Sequence, residues 1–146
     1  DVGANLAARI RPMDLREIRD VHYESETVAQ VIEHAIAVSA ETAAVEVRGE
    51  LQCLLGVAPD LSVKLGGVGV PWLLAAAGIE RHWAHVARGA RQVLPLMHAH
   101  YPHLRNFVHV ENKPAKKLLA WCGFSLRDPE PYGVRAELFH LFEKEA

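Results

Sequence analysis

Between residues 106 and 124 the apolar positions change period. Residues 107–111 are β-branched and aromatic with polar residues interleaved, which suits a partly buried strand. Asn112 ends that pattern, and Pro114 stands where a helix loses little by lacking an N–H. Ala115, Leu118, Leu119 and Cys122 then recur at helical spacing, so one face is apolar. Gly123 fits a left-handed helix stop, and Phe124 opens another strand. This strand, cap, helix and stop form the clearest unit in the chain.

The rest of the pattern is read the same way. Residues 8–12 form a short strand stopped by Pro12, and Asp14 with Glu17 three residues on has the spacing of a capping box for a helix reaching Val21. Ser25 can cap a second helix with apolar positions at Val28, Val31, Ile32, Ala35, Ile36 and Ser39. Residues 45–57 read as a hairpin turning at Gly49-Glu50, with glycine first as in a type II′ turn. Residues 59–67 are loop-like. Residues 68–74 form an apolar central strand in which Pro71 removes one ladder donor and predicts a splay. The longest helix spans residues 80–101, with Pro95 inside it. A turn-rich stretch at 128–133 precedes a last strand within 136–142.

Composition narrows the class. A chain of 146 residues, 50% hydrophobic and 23% charged, suits one globular domain spanning residues 1–146. A net charge of −2 gives no footprint for nucleic acid, and no apolar run predicts a membrane span. Cys53 and Cys122 sit in apolar runs and read as reduced core thiols. The expectations are a cytoplasmic setting and, from Asp1 in place of Met, upstream processing or trimming. Nine histidines are many, but neither cysteine stands in ligand-like spacing with them, so no metal is expected. Trp72, Trp83 and Trp121 read as core or partner-contact residues.

The spacing Asn112-x-x-Ala115-x-x-Leu118-x-x-x-x-Gly123-Phe124 resembles the fifth-strand and fourth-helix segment of the GCN5-related N-acetyltransferase (GNAT) family. Residues 10–18 are similar to the way many members begin. The predicted order, β-α-α-β-β-β-α-β-α-β-β, matches the family over nearly the whole chain. Val70-Pro-Trp-Leu-Leu74, the Tyr101-Pro and Asn106-Phe-Val runs, Trp121-x-Gly-Phe124 and Pro131-Tyr-Gly133 look like GNAT-like proteins of short-tailed phages, some described as internal virion proteins. The resemblance implies an α/β (α+β) GNAT fold: a mixed, mostly antiparallel sheet of about six to seven strands with about four helices on its two faces.

It also implies acetyl-CoA in a wedge between two splayed strands, its diphosphate at the N-terminus of the long helix. The implied cofactor-binding set is Leu74, Ala75, Ala77, Gly78, Ile79, Asn112, Ala115 and Lys116. Asn112 reads equally as a plain helix cap, and Lys113, Lys116 and Lys117 as a solvated face or a phosphate attractor. Three positions depart from the family pattern. Ala75 replaces a basic or amide residue, Glu80 a small one, and Leu119 the tyrosine that would protonate the leaving thiolate. Tyr132 and Tyr101 are substitutes by type. His109 and Glu111 are the candidates for general base.

Two functions follow as expectations. One is acyl transfer from acyl-CoA to an amine. The other is a non-catalytic virion or assembly protein that keeps the fold, with other virion proteins as partners and the phage particle or host cytoplasm as its place. A homodimer is compatible with either.

Overall fold

The computed structural model describes residues 1–21 and 26–146. In these residues seven strands, β1 (Glu41–Val47), β2 (Glu50–Pro59), β3 (Val68–Ala75), β4 (His103–His109), β5 (Ser125–Leu126), β6 (Glu130–Tyr132) and β7 (Glu137–Glu145), form one open sheet. Its order is β1-β2-β3-β4-β7-β5, with β6 also on β7. Every pairing is antiparallel except that of β3 with β4. Among the described residues five α-helices accompany it: α1 (Val2–Ala7), α2 (Pro12–Val21), α3 (Val28–Val38), α4 (Trp83–His100) and α5 (Lys113–Trp121). Among the described residues no helix is long and apolar enough to cross a membrane.

Side-chain alternation along β2 sorts the core into two layers. Cys53, Leu55 and Val57 face Val86, Val93 and Met97 of α4, with Leu118 of α5 packed beside them. Leu54 turns the other way, onto Leu6 of α1 and Ile32 of α3. The strand is buried from Gln52 to Val57, as expected where helices cover both faces.

Several local expectations change. Residues 8–12 form no strand. Ile10 makes an isolated bridge to Ala76, and α1 precedes it, its Asp1 cap accepting from Gly3 N–H at 3.0 Å. The hairpin turns on Arg48-Gly49, both at positive φ (54° and 77°), the signature of a two-residue type I′ turn rather than II′. The Ser25 cap lies outside the described residues. The observed cap of α3 is Thr27, in a capping box with Gln30. α2 starts at Pro12, so Asp14 and Glu17 lie inside it and their carboxylates are free for other partners.

The feature that positions the site is the gap between β3 and β4. They pair only at Val68↔His103 and Gly69↔Leu104. On its other edge β3 pairs without a break, from Gly69↔Pro59 to Ala75↔Cys53. Pro71 therefore presents its missing N–H to the β4 side, where a parallel ladder cannot continue. Asn106 Nδ2 reaches across and donates to the Pro71 carbonyl at 2.8 Å, a single side-chain tie where ladder bonds would stand.

Candidate active site in the strand gap

A cavity of about 260 Å³ runs through this gap. On the α5 side its wall is apolar, with Ala115, Leu118, Leu119 and Cys122 facing Leu94 and Met97 of α4. On the α2 side Glu17, Ile18 and Val21 face Phe107, Tyr132 and Phe139.

Polar groups gather where the two sides meet. Arg11 is 4% exposed, Asp14 1% and Asn112 2%. Arg11 Nη2 donates to Asp14 Oδ1 at 2.7 Å and to Asn112 Oδ1 at 3.1 Å. The other Asp14 oxygen accepts the Ala75 N–H at 2.7 Å. Burial pushes the Asp14 carboxyl up from the usual carboxylate range, and Arg11 pulls it back. Asn112 Nδ2 donates to Glu17 Oε1 at 2.8 Å, and the same oxygen accepts the His109 N–H at 3.1 Å. Glu17 Oε2 has no hydrogen-bond partner among the described residues, while its side chain lines the cavity. Burial lifts Glu17 to about 7, against the lowering effect of those two donors.

Asn112 occupies the N-cap position of α5 but does not cap it through its side chain. Both polar atoms of that side chain are turned to the network. Ala115 stands beside it in the wall, and Lys116 Nζ donates to the Val110 carbonyl at 3.3 Å.

The two candidate bases lie elsewhere. β4 ends at His109, so Glu111 sits in the following turn, where its carboxylate pairs with Arg16. His109 is 2% exposed and does not border the cavity. Its Nδ1 accepts the Glu111 N–H at 3.0 Å, which leaves the ring proton on Nε2. That atom faces Asp20 Oδ2 at 3.8 Å and Glu137 Oε1 at 4.0 Å. The three side chains have the right types for a metal, but a ligating Nε2 needs the proton on Nδ1 instead. The arrangement does not suit one.

Along β3, Ala76 N–H points to Gln52 of β2, so the alternate residues face the gap. The Pro71 carbonyl and the Ala75 N–H do so through their side-chain partners, which leaves Leu73 as an N–H turned to the gap. Leu74 pairs with Leu54 and borders the cavity. Beyond it the loop is tied inward: Ala76, Ala77, Ile79 and Arg81 donate their N–H groups to Gln52, Arg9, Ala76 and Gly78. Ile79 is fully buried, and Gly78 precedes a 3₁₀ turn (Ile79–His82) that carries Glu80. A second groove, between α4 and α5, places Glu80 opposite Lys113 and Lys117, with Trp83 and Trp121 as walls.

These residues fit an acyl-pantetheine arm, for which the gap offers a backbone donor, an apolar wall and Asn112. They suit its diphosphate less well, because the N–H groups of Ala77, Ile79 and Arg81 are already bonded and Glu80 adds a negative charge. Lys113 and Lys117 are the cations left to face it. Leu119 lines the wall where a proton donor was expected, whereas Tyr132 lines the cavity, stacked on Phe107 at 3.7 Å. Tyr101 instead packs against Gly69.

Glu17 escaped the sequence reading because Asp14-x-x-Glu17 passes for a capping box. The available signal was Arg11, Asp14 and Glu17 at three-residue spacing beside Ile18 and Val21. That puts charge on the face that turns to the sheet.

No family profile matches the sequence, and no curated protein matches it. Solved structures do match in shape. Ribosomal-protein-alanine N-acetyltransferase from Brucella melitensis superposes with a TM-score of 0.74 at 13% identity, covering 99% of this chain and 94% of that one. A GNAT-family acetyltransferase from Streptococcus pneumoniae gives 0.68 at 14%, covering 99% and 94%. The yncA protein of Salmonella typhimurium, solved with its cofactor acetyl-CoA, gives 0.61 at 14%, covering 98% and 89%. The chain has the fold of the GNAT acetyltransferases, a seven-stranded, mostly antiparallel sheet opened between β3 and β4.

Proposed function

We propose that the protein is an N-acyltransferase in which the β3–β4 gap receives an acyl thioester on one side and an amine on the other. The observation that carries this reading is Glu17: one oxygen fixed by two N–H donors, the other open to a cavity that crosses the sheet. Acyl-CoA, when bound, supplies the activated acyl group, with Leu74, Ala75, Ala77, Gly78 and Ile79 on the β3 side and Asn112, Ala115 and Lys116 on the α5 side. Glu17 Oε2 takes the proton from an ammonium group, freeing its lone pair. Asn112 holds Glu17 in position. The Leu73 N–H is oriented to stabilise negative charge that develops on an oxygen in the gap. Tyr132 supplies the hydroxyl at the cavity wall that Leu119 cannot.

The reading is tested by thiol release from acetyl-CoA in the presence of a panel of amines. Amine-dependent release is expected, falling by about 10²-fold or more in Glu17→Gln. No release with any amine from the folded protein contradicts it. The inward-bonded N–H groups of Ala77, Ile79 and Arg81, together with Glu80 and Leu119, favour a second reading, a non-catalytic virion or assembly protein that keeps the fold. The sequence resemblance to proteins of short-tailed phages gives it a setting, in the particle or in the host cytoplasm.

A further inference from the structure

The α2 side of the gap has a chemistry of its own. Side chains of Phe107 and His109 share one face of β4, and Tyr132 and Phe139 continue it on the neighbouring strands. Phe107 and Tyr132 stack at 3.7 Å with their planes 13° apart, and Phe139 meets Tyr132 edge-on at 5.5 Å. Ile18 and Val21 close the opposite side. The chamber wall is aromatic and aliphatic apart from Glu17 and the Tyr132 hydroxyl, with Arg11, Asp14 and Asn112 where it meets the gap.

Charge decides what such a chamber accepts. Asp14 has both oxygens engaged, by Arg11 and by the Ala75 N–H. Arg11 has its charge paired by Asp14, bonds Asn112 through the same Nη2 and keeps a buried Nε without a partner; it is the only cation among the described residues lining the cavity. Asn106 and Asn112 are uncharged and already bonded. Glu17 Oε2 is therefore the group open to an ammonium. A carboxylate on the same ligand meets no unpaired cation among the described residues lining the cavity, and a second ammonium is left against aromatic and aliphatic carbon. Burying an unpaired charge is costly enough to exclude both.

We infer that the amine acceptor is a primary monoamine carried on an uncharged apolar stem, its ammonium on Glu17 and its stem against Phe107 and Tyr132. Amino acids, polyamines and lysine-rich peptides are disfavoured. The word acceptor rests on the transfer reading above, but the amine site does not, because binding can be measured without any acyl donor.

The experiment is a calorimetric titration of the full chain, with and without acetyl-CoA, using 2-phenylethylamine, phenylalanine and spermidine. Saturable binding of 2-phenylethylamine is expected, with phenylalanine and spermidine weaker by about tenfold or more. Glu17→Gln keeps an oxygen for its two N–H donors and loses only the charge, and it should weaken 2-phenylethylamine by about tenfold. Tyr132→Leu should weaken it less and leave a small alkylamine unaffected. Equal binding of phenylalanine or spermidine, indifference to Glu17→Gln, or no binding of 2-phenylethylamine overturns the inference. Thiol release with other amines alone would overturn it while sparing the transfer reading. Amine binding without any acyl-CoA binding would do the reverse.

Discussion

Asn112 Nδ2 donates to Glu17 Oε1 across 2.8 Å, joining the start of α5 to α2, 95 residues apart in the chain. Asn112 Oδ1 accepts from Arg11 in turn, so one buried amide ties both members of the α2 side to the strand gap. Replacing it by alanine leaves Glu17 and Arg11 each one partner short. Asn112→Ala should cost about 2–3 kcal/mol in denaturant unfolding. It should also lower kcat more than it raises KM for the amine, because Glu17 loses its fixed position. A purely structural residue would lower stability alone.

Glu17 gives a pH dependence with a definite sign. Its folded-state pKa, about 7, lies above its ordinary value of 4.5. Between those values the folded protein holds a proton that the unfolded chain has released. Stability therefore falls as pH rises from about 4.5 to about 7 and levels off above. Relative to Glu17→Gln, the wild type should lose on the order of 3 kcal/mol over that window, read by urea unfolding at several pH values. Parallel curves for the two proteins would place the titrating group elsewhere.

Glu80 bears on the donor side. It lies in the 3₁₀ turn at the head of α4, facing the groove walled by Lys113 and Lys117. There its carboxylate occupies the field that a diphosphate would use. Glu80→Gly should lower the melting temperature slightly and raise acetyl-CoA affinity by about three- to tenfold, as removal of a like charge requires. Unchanged affinity would mean that the diphosphate lies away from this groove.

Asn106 maintains the gap. Asn106→Ala leaves the Pro71 carbonyl without its donor and should cost about 1–2 kcal/mol. Hydrogen exchange at the amides of Trp72, Leu73 and Leu74 tests the point. Leu73, on the gap side, should exchange faster in the variant, while Trp72 and Leu74, paired to β2, should not.

Sequence reading went furthest where local pattern and tertiary demand agree. The period change at Asn112, the left-handed stop at Gly123 (φ 92°) and the ladder break at Pro71 are each dictated by neighbours in the chain, and each recurs in the structure. It fell short where partners are distant. Asp14 and Glu17 carry a local capping signature, but Pro12 begins the helix earlier and releases both carboxylates to Ala75 and Asn112. Nothing near His109 in sequence shows that its ring is turned to Asp20, away from the gap. Residues 8–12 have strand propensity, yet only the bridge from Ile10 to Ala76 forms, with its neighbours bonded to the end of β3. Propensity proposes and packing decides.

The β3–β4 gap is proposed as the acyl-donor site despite the altered loop. Calorimetric titration of the purified chain with acetyl-CoA tests it most directly. Saturable binding in the micromolar range is expected, weakened by about tenfold in Asn112→Ala. No heat of binding up to millimolar acetyl-CoA would contradict it.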